Sequence, residues 1–228
     1  MANIGIIIPT YNEKERIEVL IQRLKTCPTA DIHVVDSGNS TDQIHTILAK
    51  HEVHCHQSEF TNRAKQLNLG ARKSGADILY FVHADSIPPL NFYEHIEKAI
   101  EEGNQYGYFS YAFDSNSWLL KINAWTTTFK NMWTGGGDQT FFIRRELFES
   151  MGGFDESCEL CEDFDLYRKL LEKNLPFKII NKPVTISARK YENRSYLKVT
   201  WANFIAFRMF NKGMRGKELR EKYTQLLG

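Results

Sequence analysis

No glycine-rich phosphate loop is present. The 228-residue chain has no G-x-x-x-x-G-K-S/T, and no G-x-G-x-x-G follows its first apolar run, where Pro9 takes the place a dinucleotide fold gives to glycine. That argues against a P-loop enzyme and an ordinary nicotinamide dehydrogenase. Cysteine is sparse: Cys27, Cys55, Cys158 and Cys161 do not suggest a disulfide scaffold in a chain of this size. No window approaches 18 uncharged apolar residues, so no membrane span is expected. The opening "MANIGIIIPTYNEKER" lacks the basic start of a signal peptide and meets acids at once. A cytoplasmic, reducing compartment is the resulting expectation. Net charge is +1, so bulk electrostatics supplies no argument for nucleic acid.

What is there reads as globular, with 42% hydrophobic and 25% charged residues. "NIGIIIP" is a continuous apolar run suited to a strand covered on both faces. "EKERIEVLIQRLKT" follows with helical spacing at 17, 20, 21 and 24. "DIHVVDSG", "HEVHCHQSE" and "DILYFVHADS" read as further strands. "TDQIHTILAK", capped by Ser40 or Thr41, "NRAKQLNLGARKSG" and "LNFYEHIEKAIEEG" read as helices. Four strand–helix alternations predict an α/β fold, a mostly parallel sheet with helices on both faces. Beyond Gly103, "YGYFSYAF" reads as an exposed or edge strand, "CEDFDLYRKLLEKN" as an amphipathic helix, and "FKIINKPVTISARKYE" as two short strands. The tail reads as two helices divided near Gly213. The expected organisation is one domain over 1–190, with a nucleotide-binding half to 103 and an acceptor half to 190, then a helical extension over 191–228.

Ligands of open parallel sheets bind at the carboxyl ends of strands. Three runs change there abruptly to short polar residues: Pro9-Thr10-Tyr11-Asn12-Glu13, Asp36-Ser37-Gly38-Asn39, and His83-Ala84-Asp85-Ser86. Tyr11 is able to stack on a nucleobase. A carboxylate at Asp36 suits a ring N–H, as in uracil or guanine, or forms a turn instead. Glu13 is placed to reach ribose or base, or serves as a first-turn acid. His83 and Asp85, two apart on a strand, are expected to share a face. A divalent cation bridging two phosphates needs only one or two protein ligands.

In unbroken order over roughly residues 3–190, "IIIPTYNEKERIEVLIQRL", "VVDSGNSTD", "NRAKQLNLGARKSGADILYFVHADS", "GGGDQTFFIRRELFESMGGFDE" and "CEDFDLYRKL" resemble the family 2 glycosyltransferases of the GT-A fold. The resemblance implies a donor site built from Pro9, Thr10, Tyr11, Glu13 and Asp36, with Arg63 near the diphosphate. It makes Asp85 the metal ligand, matching the last carboxylate of the family's Asp-x-Asp. His83 replaces the first acid, and Ala84 stands between. An imidazole there favours Mn2+ over Mg2+. Glu162 and Asp163, read alone, are dipole partners of a helix N-terminus; the resemblance makes Asp163 the general base. Asp138 or Gln139 of "GGGDQTFF" is expected to touch sugar or acceptor, and Arg189, with Lys190 and Arg194, to close over the diphosphate.

The implied activity is transfer of a single sugar from a nucleotide sugar, a UDP-sugar foremost, to an acceptor hydroxyl of unidentified glycan, lipid or small-molecule type. Processive synthases carry Gln-x-x-Arg-Trp and membrane spans, and neither is present. Two competitors are a nucleotidyltransferase, which would want an Arg/Lys-bearing glycine loop, and an inactive nucleotide-sugar sensor, which would not need Asp163. Zinc binding by "HEVHCHQ" is disfavoured, because His54 and Cys55 point to opposite faces of a strand; a single Cys158-x-x-Cys161 pair is no zinc or redox motif. From Lys190 onward, basic residues at 190, 194, 198, 208, 212, 215, 217, 220 and 222 outnumber Glu192, Glu218 and Glu221. Interleaved with aromatics, they suit an anionic membrane surface, while the aromatics suit packing on the domain or in a homodimer.

Overall fold

A strand buried on both sides needs apolar residues at every position, and the run after Asn3 supplies them. The computed structural model describes residues 3–59, 62–131, 134–136, 139–192 and 194–228. Its elements begin with β1 (Ile4–Thr10), α1 (Lys14–Leu24), β2 (Ala30–Ser37), α2 (His45–Leu48), β3 (His54–Ser58), α3 (Arg63–Lys73), β4 (Ile78–Phe81), β5 (Ser86–Ile87) and α4 (Phe92–Glu101). They continue with β6 (Tyr106–Phe113), α5 (Trp118–Thr126), β7 (Phe141–Arg144), α6 (Arg145–Ser150), α7 (Glu162–Glu172), β8 (Phe177–Ile186), α8 (Arg189–Glu192), α9 (Tyr196–Asn211) and α10 (Gly216–Leu227).

The strands form one sheet in the order β3-β2-β1-β4-β7-β6-β8-β5. The first four pair in parallel; β7 enters antiparallel between β4 and β6, β8 runs parallel to β6, and β5 closes the far edge antiparallel. On β1, Ile4, Ile6 and Ile8 enter one core and Ile7 the other. Each fully buried side chain of this kind contributes roughly 1.5–3 kcal/mol. α1 and α4 cover the first core through Ile17, Leu20 and Ile96; α3 and α7 cover the second through Leu67, Leu166 and Leu170. Helices on both faces of a largely parallel sheet are therefore the observed layers.

Four local expectations are corrected. α2 is a single turn, and Ser40 and Thr41 do not cap it; Ser40 Oγ accepts from Asn12 N at 3.0 Å and Asn12 Oδ1 accepts from Thr41 N at 2.8 Å. β4 stops at Phe81, so His83 and Asp85 lie in a turn, where Ser86 N donates to His83 O, and strand alternation does not govern them. β6 is an interior strand between β7 and β8, its aromatic alternation serving two buried faces. "FKIINKPVTISARKYE" forms one long strand and the short α8; Pro183 falls where the β6–β8 register jumps from Phe109↔Ile180 to Tyr111↔Val184, a bulge that tolerates a missing N–H. The tail divides at Gly213 as expected, its φ of +95 favouring glycine. Phe210 and Leu219 then pack with Cys158, docking α9 and α10 on the loop that precedes α7.

α3 is held close to the sheet. A Cβ at Gly70 would collide with Ile7 and crowd Val35, so only glycine allows this approach. The approach brings the buried Gln66 amide to the strand ends, where Nε2 donates to Thr10 O at 2.9 Å and Val35 O at 2.8 Å. Gln66→Leu keeps the bulk but strands these acceptors, and is expected to cost about 1–3 kcal/mol, read as a lower urea midpoint with unchanged m-value. A midpoint equal to wild type contradicts this role.

Candidate active site

The last rung between β1 and β4 is Ile7↔Phe81, followed by Val82 N donating to Ile7 O at 3.0 Å. Beyond it the two strands part. Ile7 faces β4, so Pro9, two residues on, faces the gap, and its missing N–H costs the ladder nothing. The connections from β1 and into β4 leave on different sides, which makes this gap the crevice in which an open parallel sheet binds ligands.

One wall of the crevice is built by the ends of β1 and β2. Buried Thr10 donates through Oγ1 to Asp36 Oδ1 at 3.0 Å. The loops beyond are stitched together by the Asn12–Ser40–Thr41 contacts and by Lys14 N donating to Asp42 Oδ2 at 2.8 Å. Tyr11 emerges exposed at the mouth. His45, which sequence reasoning missed, stands 3.7 Å from Asp36 Oδ2 through Nε2 and 3.0 Å from Cys55 Sγ through Nδ1. No local pattern signalled it, because the contact joins α2 to two different strands.

Asp85 occupies the opposite lip, next to buried Ala84. Its carboxylate is partly exposed and has Arg189 NH2 at 3.8 Å from Oδ2. Arg189 itself grips both oxygens of Glu13, through NH1 at 3.1 Å and through NH2. Glu13, Asp85 and Arg189 thus meet, drawn from the β1 loop, the β4 turn and α8. The Glu13 contact first of all holds the guanidinium more strongly protonated than usual. In the same turn as Asp85, burial first and the Arg63 guanidinium second hold the His83 imidazole far below the usual histidine range, so the ring is neutral at neutral pH.

A second cluster lies at the N-terminus of α7. Arg63 Nε donates to Glu162, and its NH2 donates to Asp163 Oδ2 at 3.2 Å. Glu162 is buried, and Asp163 keeps 16% of its side chain exposed. Arg63 is set by its helix start: Asn62 caps α3 by accepting from Lys65 N at 3.0 Å and donates to the carbonyls of Glu156 and Cys158. Arg63 therefore bridges the start of α3 to the acids of α7. Gln139 is buried, its Oε1 accepting from Gly135 N at 3.0 Å and its Nε2 donating to Phe109 O at 3.3 Å. It braces the loop and lines a cavity together with Arg63 and Asp163. Asp138 lies outside the described residues.

Two cavities adjoin here. One, of about 530 Å3, is lined by Asp85, Phe113, Arg189 and Arg194. The other, of about 460 Å3, is lined by Arg63, Asp163, Asn123 and, from the tail, Tyr196, Asn203 and Tyr223. Lys190 and Tyr191 line both. Lys190 reaches the second through Asn203 Oδ1 at 3.3 Å and the Tyr223 hydroxyl, a contact to the tail that sequence reading did not find.

Comparison with known proteins accords with this layout. The pattern of glycosyl transferase family 2 matches residues 5–161. An uncharacterised glycosyltransferase of Haemophilus influenzae is 26% identical over 208 residues, spanning 80% of this chain and 67% of its own. S. aureus TarS 1–349 superposes with a TM-score of 0.68 at 17% identity, over 99% of this chain and 70% of that one. The mannosyltransferase PcManGT from Pyrobaculum calidifontis, solved with GDP-Man and Mn2+, gives 0.64 at 17% identity, over 99% and 68%. Glucosyl-3-phosphoglycerate synthase from Mycobacterium tuberculosis, solved with Mn2+, UDP and phosphoglyceric acid, gives 0.61 at 16% identity, over 95% and 80%. At such identities these structures speak to the shared GT-A fold alone. The family match, covering more than half of the chain, carries the assignment: this protein belongs to glycosyl transferase family 2 and is a glycosyltransferase.

Proposed function

We propose that the protein moves one sugar from a nucleotide sugar, UDP-linked, to an acceptor hydroxyl with inversion at the anomeric carbon. The observation that carries this reading is the pair of carboxylates, Asp85 and Asp163, lining adjoining cavities that share Lys190 and Tyr191. The donor lies in the crevice, its base stacked on Tyr11 and its ring N–H given to Asp36, which Thr10 and His45 orient. Glu13 and Arg189 exchange their mutual contact for ribose and diphosphate as the donor enters. The relatives solved with GDP-Man or UDP support a nucleotide donor.

A divalent cation fits the Asp85 lip. The donor set is a hard carboxylate oxygen on a partly exposed turn, beside a neutral imidazole, with the nearest guanidinium nitrogen of Arg189 at 3.8 Å. Such a cation, when bound, supplies neutralisation of the diphosphate charge. Mn2+ and Mg2+ in the relatives support that identity. Asp163 takes the acceptor proton from the face opposite the diphosphate, held in place by Arg63. A single base with in-line attack inverts the configuration, through an oxocarbenium-like transition state. The acceptor enters the second cavity. Ile122 lines it, and Trp118 and Trp125 of the same helix α5, with Leu197 and Trp201 of α9, which also lines it, are exposed, with Lys121 and Lys198 on the same helices. That rim suits an acceptor presented at an anionic membrane surface.

Asp163→Asn is expected to lower kcat for UDP release with Mn2+ by about 10²–10⁴-fold while leaving donor affinity unchanged. Asp85→Ala is expected to remove the Mn2+ dependence of UDP binding. Turnover by Asp163→Asn at the wild-type rate, or tight binding without turnover by the wild type under any acceptor or hydrolysis condition, overturns the assignment. Thermal shifts across UDP-, GDP- and dTDP-sugars identify the base, since binding stabilises the folded state. For the rim, the Trp125→Ser, Trp201→Ser double variant is expected to cut co-sedimentation with anionic phospholipid vesicles several-fold. Equal sedimentation of variant and wild type removes the membrane reading.

A further inference from the structure

Well away from the crevice, β2 and β3 gather three histidines and a carboxylate. Asp31 and Asp36 are five positions apart on β2, about 16–17 Å along the strand, so a cluster at Asp31 lies towards the opposite end from the nucleotide rim. His33 pairs directly with His54 across the ladder, and His56 follows on the same face of β3. Ser74, at the end of α3, donates to Asp31 Oδ2 at 2.9 Å. Against that carboxylate stand His33 Nε2, 2.9 Å from Oδ2, and His54 Nε2, 3.4 Å from Oδ1.

His33 is the second observation. It is only 3% exposed, and the Asp31 carboxylate is the ion-pair partner of its Nε2. Its other nitrogen, Nδ1, is 2.9 Å from His56 Nε2. When Nδ1–H donates to His56, a lone pair remains on the buried Nε2, next to the Asp31 carboxylate and open to a cation placed between them. Histidine ligands of metals are held in this way, by a hydrogen bond from the nitrogen that does not ligate.

We propose that Asp31, His33 and His54 bind a divalent transition metal of the zinc class, with His56 fixing the His33 tautomer. Two neutral imidazoles and one carboxylate suit such an ion better than Mg2+ or Ca2+. The three ligating atoms lie within 4.8 Å of one another. A tetrahedral ion with bonds near 2.0–2.1 Å spaces its ligands roughly 3.3 Å apart. The two imidazole nitrogens approach different oxygens of Asp31, at 2.9 Å and 3.4 Å, on either side of that spacing. The remaining closure falls to His54, whose side chain is 64% exposed and leaves its stack on His33 by turning about its own χ angles. The ion would clamp the short edge strand β3 to β2. It is a different site from the Asp85 lip and does not depend on the donor chemistry.

The test is calorimetric titration of the metal-stripped full chain with Zn2+ alone, without nucleotide. One equivalent is expected to bind. His54→Ala, a change at an exposed side chain, and Asp31→Asn are each expected to weaken binding at least about tenfold, the loss seen even for partners one step removed from an ion. Asp85→Ala and Cys55→Ser are expected to bind as wild type. With Co2+ in place of Zn2+, a visible absorption band is expected that His54→Ala abolishes. Absence of saturable Zn2+ binding, affinity unchanged in His54→Ala and Asp31→Asn, or affinity lost in Cys55→Ser, which would move the ion to the His45–Cys55 contact, overturns the proposal.

Discussion

Everything at the crevice depends on where two neighbouring strands stop pairing. β1 and β4 share a ladder only to Ile7 and Phe81, and the chain beyond each is released from the sheet. A parallel sheet offers its ligands free main-chain groups and short polar side chains only at such an opening. Pro9 reinforces the release, because it has no N–H with which to extend the ladder towards β4. Thr10 and Asp36 on one side, and His83 to Asp85 on the other, are lips of the same opening.

The two lips differ in stiffness. The β1–β2 side is cross-linked by Gln66 and the Thr10–Asp36 contact, both buried, and by the stitched loops. The Asp85 side is bridged by Arg189, whose bonds to Glu13 lie in a partly exposed position where water screens them. Under the proposed function, a rigid wall for the base faces an exchangeable ionic bridge, which suits a donor that must enter and leave. Arg63 cross-links the start of α3 to α7 as Gln66 cross-links α3 to the strand ends. It holds the Glu162–Asp163 pair by a contact spanning about a hundred residues of sequence, and Asp163 opens into a cavity partly walled by the tail.

Much of this was readable in the sequence, for physical reasons. Apolar runs buried on both faces break sharply into polar residues, so the ends of β1 and β2 could be placed from Pro9 and Asp36 alone. The end of β4 was misplaced because Val82 prolongs the apolar run past the last rung. β6 was read as an edge because alternating aromatics look the same whether the opposite face is water or a second core. The partners of Arg63, the Tyr223 contact of Lys190 and the His45–Asp36 approach are tertiary, and no spacing rule reaches them. The His54 cluster was set aside because His54 and Cys55 point to opposite faces of a strand; the residues that join His54 there, Asp31 and His33, lie on the neighbouring strand.

A crystal structure with UDP and Mn2+ tests the central claim most directly. The account predicts an anomalous manganese peak within bonding distance of Asp85, uracil against Tyr11 and Asp36, and the pyrophosphate turned so that the anomeric position faces Asp163. Manganese bound away from Asp85, or a nucleotide lying outside the β1–β4 opening, would contradict it.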